Sequence, residues 1–357
     1  MPRGYLTAFF LFEVAEAIDL SAVSAQIDVT VSARLAPRPT TPPYVQYQQP
    51  PLTMDGAVLG RAEVDGFRVR LKAFDYGVIS VALTRELPDT WDALLEAGLE
   101  WQEDGRLEAR AESLCRELLA RISGAVTRLR DGQFLNEDYF VFTIFSDAGG
   151  PAGDALLSEH GAAIAQLLRN ERQQLSGQER DEVLRHRLSY YTTDVVVTTW
   201  NGALVYDSQA GAPGVLEILE FANSQLLEFR YYDHLLDVEL ARTYARLQTG
   251  GWRPPWIGRR YARTARQIHA LFIDVNELTD KAENALKIAG DVYAARVFAI
   301  AAARLGLDQW KGNVREKLKT VDDIYRFAVE HTSMARGEFL EAIVVILILL
   351  EIVLLMH

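Results

Sequence analysis

The chain has 357 residues, is 49% hydrophobic and 24% charged, and carries a net charge of −12. That length suits one large domain or two ordinary ones, and the acidic balance argues against broad nucleic-acid binding, which needs clustered Lys and Arg. The one cysteine, Cys115, excludes an internal disulfide, fits a reducing compartment and reads as a buried structural thiol.

Residues 5–12 form a short apolar run followed at once by Glu13, with no small-residue cleavage site. They read as part of a buried strand over 5–14 rather than as a signal peptide. Asp19 is placed to cap a short helix over 20–27. Pro37, Pro39, Pro42, Pro43, Pro50 and Pro51 make 36–51 an extended loop or edge segment. The β-branched and aromatic runs 66–73 and 77–84 predict a hairpin turning near Asp75-Tyr76-Gly77. Helices are expected over 90–101 and 106–129, broken by Glu103-Asp104-Gly105. Residues 138–145 carry a strong strand signal, followed by a glycine-rich loop at 146–154 and a helix near 155–172. The run 190–199 reads as a strand that turns at Asn201-Gly202 into 203–206, since both turn residues tolerate positive φ. After Pro213 only helix is expected, with breaks at 250–256 and at Gly306-Leu307-Asp308. The fold class is therefore α+β. A mixed α/β head over 1–212 precedes a helical domain over 213–337 with a long antiparallel hairpin. A hydrophobic helix over 338–357, transmembrane or buried, closes the chain.

No motif assigns chemistry. The loop 146–154 lacks a Gly-Lys-Ser/Thr triplet, and its own Asp147 and Asp154 would repel phosphate, so it reads as an ordinary connection. The six histidines show no HExxH spacing, one cysteine cannot make a CxxC, and no GxSxG occurs. No catalytic residue, cofactor or metal ligand is assigned, and an enzyme is not the first expectation.

The most informative internal stretch is 219–247, without Gly or Pro and predicted as one helix. Glu220, Asn223, Leu227, Arg230, His234, Asp237 and Ala241 recur at spacings of three and four and make one stripe. Arg230 can also reach Asp233 at i+3. One reading is a solvated face, where each ion pair contributes only about 0.3–0.5 kcal/mol. The other is a partly buried polar network of Glu220, Asn223, Arg230, Asp233 and Asp237 that fixes helix register or a subunit contact. Such a network is costly unless every group is paired.

ILEFANSQLLEFRYYDHLLDVEL, NALKIAGDVYAARVFAIAAARLGLDQW and GEFLEAIVVILILLEIVLL occur in that order. Together they resemble the C-terminal half of the "required for meiotic nuclear division" or YagE-type family, a domain of unknown function. The resemblance covers 216–355. In the first half, AFDYGVISVAL resembles that family's Phe-x-Tyr-Gly-Val strand. The resemblance implies an α/β N-terminal region, long C-terminal helices and a hydrophobic terminal anchor, with no established activity to carry over. Its eukaryotic members sit at the mitochondrial inner membrane and are associated with support of translation. This chain shows no transit segment, so a bacterial, cytoplasm-facing protein follows more naturally.

The terminal run supports an anchor on physical grounds. Residues 339–356 would make a helix of about 27 Å, just enough for a hydrocarbon core of about 30 Å. Glu341 lies near one end and can reach the interface. Glu351 lies deeper, where a carboxylate costs about 2–3 kcal/mol unless protonated or paired in an oligomer. Lys319, Arg326 and Arg336 precede the run and only His357 follows, which keeps the main body in the cytoplasm by the positive-inside rule. The expectation is a non-enzymatic, tail-anchored protein of the inner membrane, a homo-oligomeric scaffold or tether with an unidentified protein partner. Three alternatives stand beside it: a soluble oligomer with the tail as its core, an enzyme or nucleotide-binding protein with a site in the head, and a membrane-active effector.

Overall fold

The computed structural model describes residues 2–27, 51–130, 132–146, 150–248 and 292–324. The chain divides into two compact units, Met1–Tyr231 with Asp280–Asp308, and Tyr232–Thr279 with Gln309–His357. The first is an α+β unit built on a mixed sheet.

Strand β1 (Gly4–Glu13) is buried along nearly its whole length, as its apolar sequence predicts. A short β2 (Ala15–Ile18) leads into α1 (Leu20–Gln26), capped by Asp19, whose carboxylate accepts from the amides of Ser21 and Ala22. Then follow β3 (Leu52–Asp55), β4 (Glu63–Val64), β5 (Phe67–Ala73) and β6 (Val78–Glu86). The β5–β6 turn requires Gly77, which has φ of +94°. A Cβ there would stand 2.0 Å from the Ala15 carbonyl oxygen, and the Gly77 carbonyl accepts from the Val14 amide at 3.0 Å.

Helices α2 (Trp91–Glu103) and α3 (Gly105–Arg121) share Asp104, which ends one and caps the other. The expectation of helix through 129 is corrected here. Helix α3 stops at Arg121 and the chain turns through Ser123–Ala125 into β7 (Val126–Leu129), which pairs with β2. The β-branched Val126 and Thr127 suit that ladder better than a helix. Strand β8 (Leu135–Phe145), α4 (Gly153–Arg169), α5 (Gly177–Arg185), β9 (Arg187–Leu188), β10 (Val195–Thr198) and β11 (Gly202–Asp207) follow. Helix α5, capped by Ser176, had no counterpart in the sequence reading. The strand expected over 190–199 begins only at Val195, because the amides of Tyr190 and Tyr191 turn onto the Asp194 carboxylate at 2.7 and 2.8 Å.

The main sheet runs β3-β5-β6-β1-β8-β11-β10-β9, with β4 also on β5. All neighbours are antiparallel except β8 and β11. Alternate residues such as Leu6, Phe10, Leu71, Val81, Phe142 and Leu204 face the layer of α2–α5 and form the main apolar core. Burying each such side chain contributes roughly 1.5–3 kcal/mol. The opposite face is covered by the first part of α6 (Ala212–Gln248), 37 residues long, and by α7 (Val292–Arg304), which meet at Phe221 and Phe298. The boundary expected at 212/213 coincides with the start of α6, whereas the units part within that helix at Tyr231/Tyr232. After α7, Gly306 adopts the left-handed conformation (φ +64°) and helix resumes at 307. The proline-rich stretch up to Pro50, the break at 250–256 and the run 339–356, with Glu341 and Glu351, lie outside the described residues.

Candidate functional site

The sheet face under α6 is unusually polar. In β5 the apolar Phe67, Val69 and Leu71 alternate with Arg68, Arg70 and Lys72, and period two puts all three cations on one face. Lys72 registers with Ser80 of β6, and Ser80 with Leu11 of β1. Lys72 is 7% exposed and donates to the carboxylate of Glu220, itself 1% exposed, in a buried ion pair. Burial favours the protonated form of Glu220, but Lys72 and Arg70 outweigh it and hold the carboxyl below its ordinary value. One turn further along α6, Tyr76 donates to the Ser224 hydroxyl at 2.6 Å, and that hydroxyl donates in turn to the Phe221 carbonyl at 2.8 Å.

Farther along the same face lies a second cluster. The β2–β7 ribbon carries Arg130 beside the end of β1, its amide bonded to the Val14 carbonyl at 2.8 Å. Its guanidinium donates to Glu13 at 3.0 Å and stacks over the Tyr231 ring, 4.2 Å from the centroid. Glu13 is fully buried, and Glu228 of α6, also buried, faces it. Burial first, then the charge of Glu228, pushes the Glu13 carboxyl well above the usual range, against the pull of Arg130. Burial likewise pushes the Tyr231 hydroxyl up to about 12. Arg230 pairs with Glu137 of β8.

The predicted stripe therefore divides. Glu220 and Asn223 are buried at 1% exposure, with the Asn223 amide donating to the Leu219 carbonyl at 2.8 Å, so a solvated face does not describe this part of α6. Arg230 takes Glu137 across the sheet instead of Asp233. Asp233 and Asp237 lie in the second unit and share Lys317, at 2.8 and 2.6 Å. The sequence reading missed Glu13, Lys72, Arg130, Glu137 and Glu228. Only the alternation of Arg68, Arg70 and Lys72 signalled one charged face of a strand.

Beside the Lys72–Glu220 pair a cleft of about 1250 Å³ opens between β3, β5, β6, β1 and the start of α6. Arg68 and Arg70 line it together with Tyr5, Thr84, Met54 and Glu217. Burial raises the Glu217 carboxyl above its ordinary value, with Lys72 and Arg70 opposing. Cys115 lies elsewhere, fully buried in the apolar core on α3, where burial raises its thiol far above the usual value. It should resist Ellman's reagent in the native protein and react fully on unfolding. Fast native labelling would mean that α3 opens.

Among the described residues no group of His, Cys, Asp and Glu is placed to hold a metal ion. Among them, too, no helix is long and apolar enough to cross a membrane. No solved structure matches the chain. An uncharacterized protein of Methanocaldococcus jannaschii, MJ0711, is 26% identical over 219 residues, covering 61% of this chain. The chain spans 65% of the length of that relative. The family model described as the N-terminal domain of uncharacterized protein MJ0711 matches residues 3–212, the whole α+β part before α6, and the chain belongs to that family.

Proposed function

We propose that this is a non-enzymatic, tail-anchored membrane protein whose α+β head serves as an oligomeric scaffold or tether at the inner membrane, facing the cytoplasm. The observation that carries the reading is the apolar run 339–356, long enough for a bilayer and broken only by Glu341 and Glu351. Two further points support it. The residues 216–355 resemble the YagE-type family, whose pattern includes such a terminal anchor. Two ion pairs under α6, Lys72 with Glu220 and Arg230 with Glu137, join the helix to the sheet, and their effect is to fasten one to the other. Helix α6 is uninterrupted from the head into the second unit.

Alkaline carbonate extraction of membranes carrying the full chain tests the anchor. The protein should stay with the lipid pellet, and deletion of 339–357 should release it. Full release of the intact chain, followed by monodisperse oligomers purified without detergent, would favour instead a soluble assembly cored by the tail.

A further inference from the structure

The cleft between β5 and α6 has a charge pattern that the fold alone does not account for. Of the three cations that β5 presents on this face, Lys72 is neutralised by Glu220. Arg68 and Arg70 take part in no ion pair among the described residues, although the chain carries 49 acidic side chains. The Nε of Arg70 is buried and has no hydrogen-bond partner among those residues. Two guanidiniums two residues apart on one strand face lie on the same side and repel each other. The half-buried Arg70 feels the charges of Glu217 and Glu220, but its Nε loses hydration without a hydrogen bond to replace it. Tyr5 and Thr84 bring hydroxyls to the same wall, where Thr84 shares a hydrogen bond of 3.2 Å with Thr7, and the carboxylates of Asp55 and Glu217 line the cleft without forming an ion pair with either arginine among the described residues. Arg70 and Arg68 both act on the Tyr5 hydroxyl, which places it beside them.

We infer that this cleft binds a small organic phosphate, with the phosphoryl group on Arg68 and Arg70 and its organic part against Tyr5 and Pro213. Planar guanidinium forks match phosphate oxygens bidentately, and a dianion balances two of them where a single carboxylate would balance one. The volume exceeds what inorganic phosphate alone would fill and suits a ligand of nucleotide size. Glu217 on the helix wall and Asp55 on β3 offer acceptors for hydroxyl or amino groups of that organic part. This site is independent of the membrane reading, and each stands if the other fails.

Titration calorimetry on the full chain, kept dispersed in mild detergent, tests it with ADP and inorganic pyrophosphate against succinate at equal ionic strength. Saturable binding of at least one phosphate probe is expected, with succinate weaker by about tenfold or more. Arg70→Gln should weaken the phosphate probe at least about tenfold, with thermal unfolding unchanged. Arg68, which is exposed, provides a second variant, Arg68→Gln, that should weaken binding even if Arg70→Gln fails to fold. No saturable binding of either phosphate, equal binding of succinate, or undiminished binding in a folded Arg68→Gln/Arg70→Gln protein would overturn the assignment.

Discussion

Lys72→Met should destabilise the protein by about 3–5 kcal/mol, because it leaves the Glu220 carboxylate buried with its principal counter-charge removed. Nearly all of both side chains is shielded from water, so neither solvent nor salt can replace the lost partner. Glu220→Leu alone strands the ammonium instead and should cost a similar amount. The double variant Lys72→Met/Glu220→Leu removes both charges and should recover most of the loss, since well-packed apolar groups replace buried ion pairs at little cost. Urea unfolding of the four proteins measures this, and single variants within about 1 kcal/mol of the parent would mean the pair is solvated. The pH dependence carries a second signature. The Glu220 carboxyl is held below its unfolded value, so its contribution is complete above about pH 4.3 and is lost as pH falls through the folded value. In Lys72→Met that acid-side loss should largely disappear.

Glu13→Gln should act in the opposite direction. The Glu13 carboxyl sits well above its unfolded value, raised by burial and by Glu228. Below about pH 4.3 both states hold the proton and the group is neutral in its effect. Above that, the folded state keeps a proton the unfolded chain has released, and stability falls by about 1.4 kcal/mol per pH unit until the folded value is passed. Beyond that point the loss is complete and constant. A glutamine imitates the protonated acid: its oxygen still accepts from Arg130, and its amide can donate toward Glu228. The variant should therefore match the parent near pH 4 and exceed it by on the order of 1–3 kcal/mol near pH 8, with a flatter profile. An unchanged slope between those limits would show that Glu13 does not hold the proton. The Glu13 Oε2 atom has no donor among the described residues, which is the gap that proton fills.

Several elements were legible because their signals are local. The buried strand at 4–13 announces itself by composition, Asp19 by its capping position, and the β10–β11 hairpin by Asn201-Gly202, although neither residue takes the positive φ expected of it and Gly202 already belongs to β11. Errors arose where tertiary pairing overrode local pattern. Residues 126–129 follow a helix whose stop, Ser123-Gly124, was overlooked, and they serve as β7 because β2 offers them a ladder. Asp194 shortens the strand at 195 by capturing two amides that β-propensity alone would have assigned to the sheet. The polar stripe on α6 was visible as a stripe, but its meaning depended on what covers it. Glu220 and Lys72 are 148 positions apart, and Arg230 and Glu137 are 93 apart. Nothing in the spacing of either helix or strand records such a meeting.

The sequence by itself determined the α+β class, the single thiol, the lack of a local catalytic motif and the apolar run at 339–356, each a property of composition or of short-range periodicity. Only the tertiary structure decided which charges are buried, which are paired and which are left facing a cleft. The reason is that burial and pairing belong to two surfaces at once. The face of β5 bearing Arg68, Arg70 and Lys72 and the face of α6 bearing Glu217, Glu220 and Ser224 acquire their energies only where the fold lays one against the other.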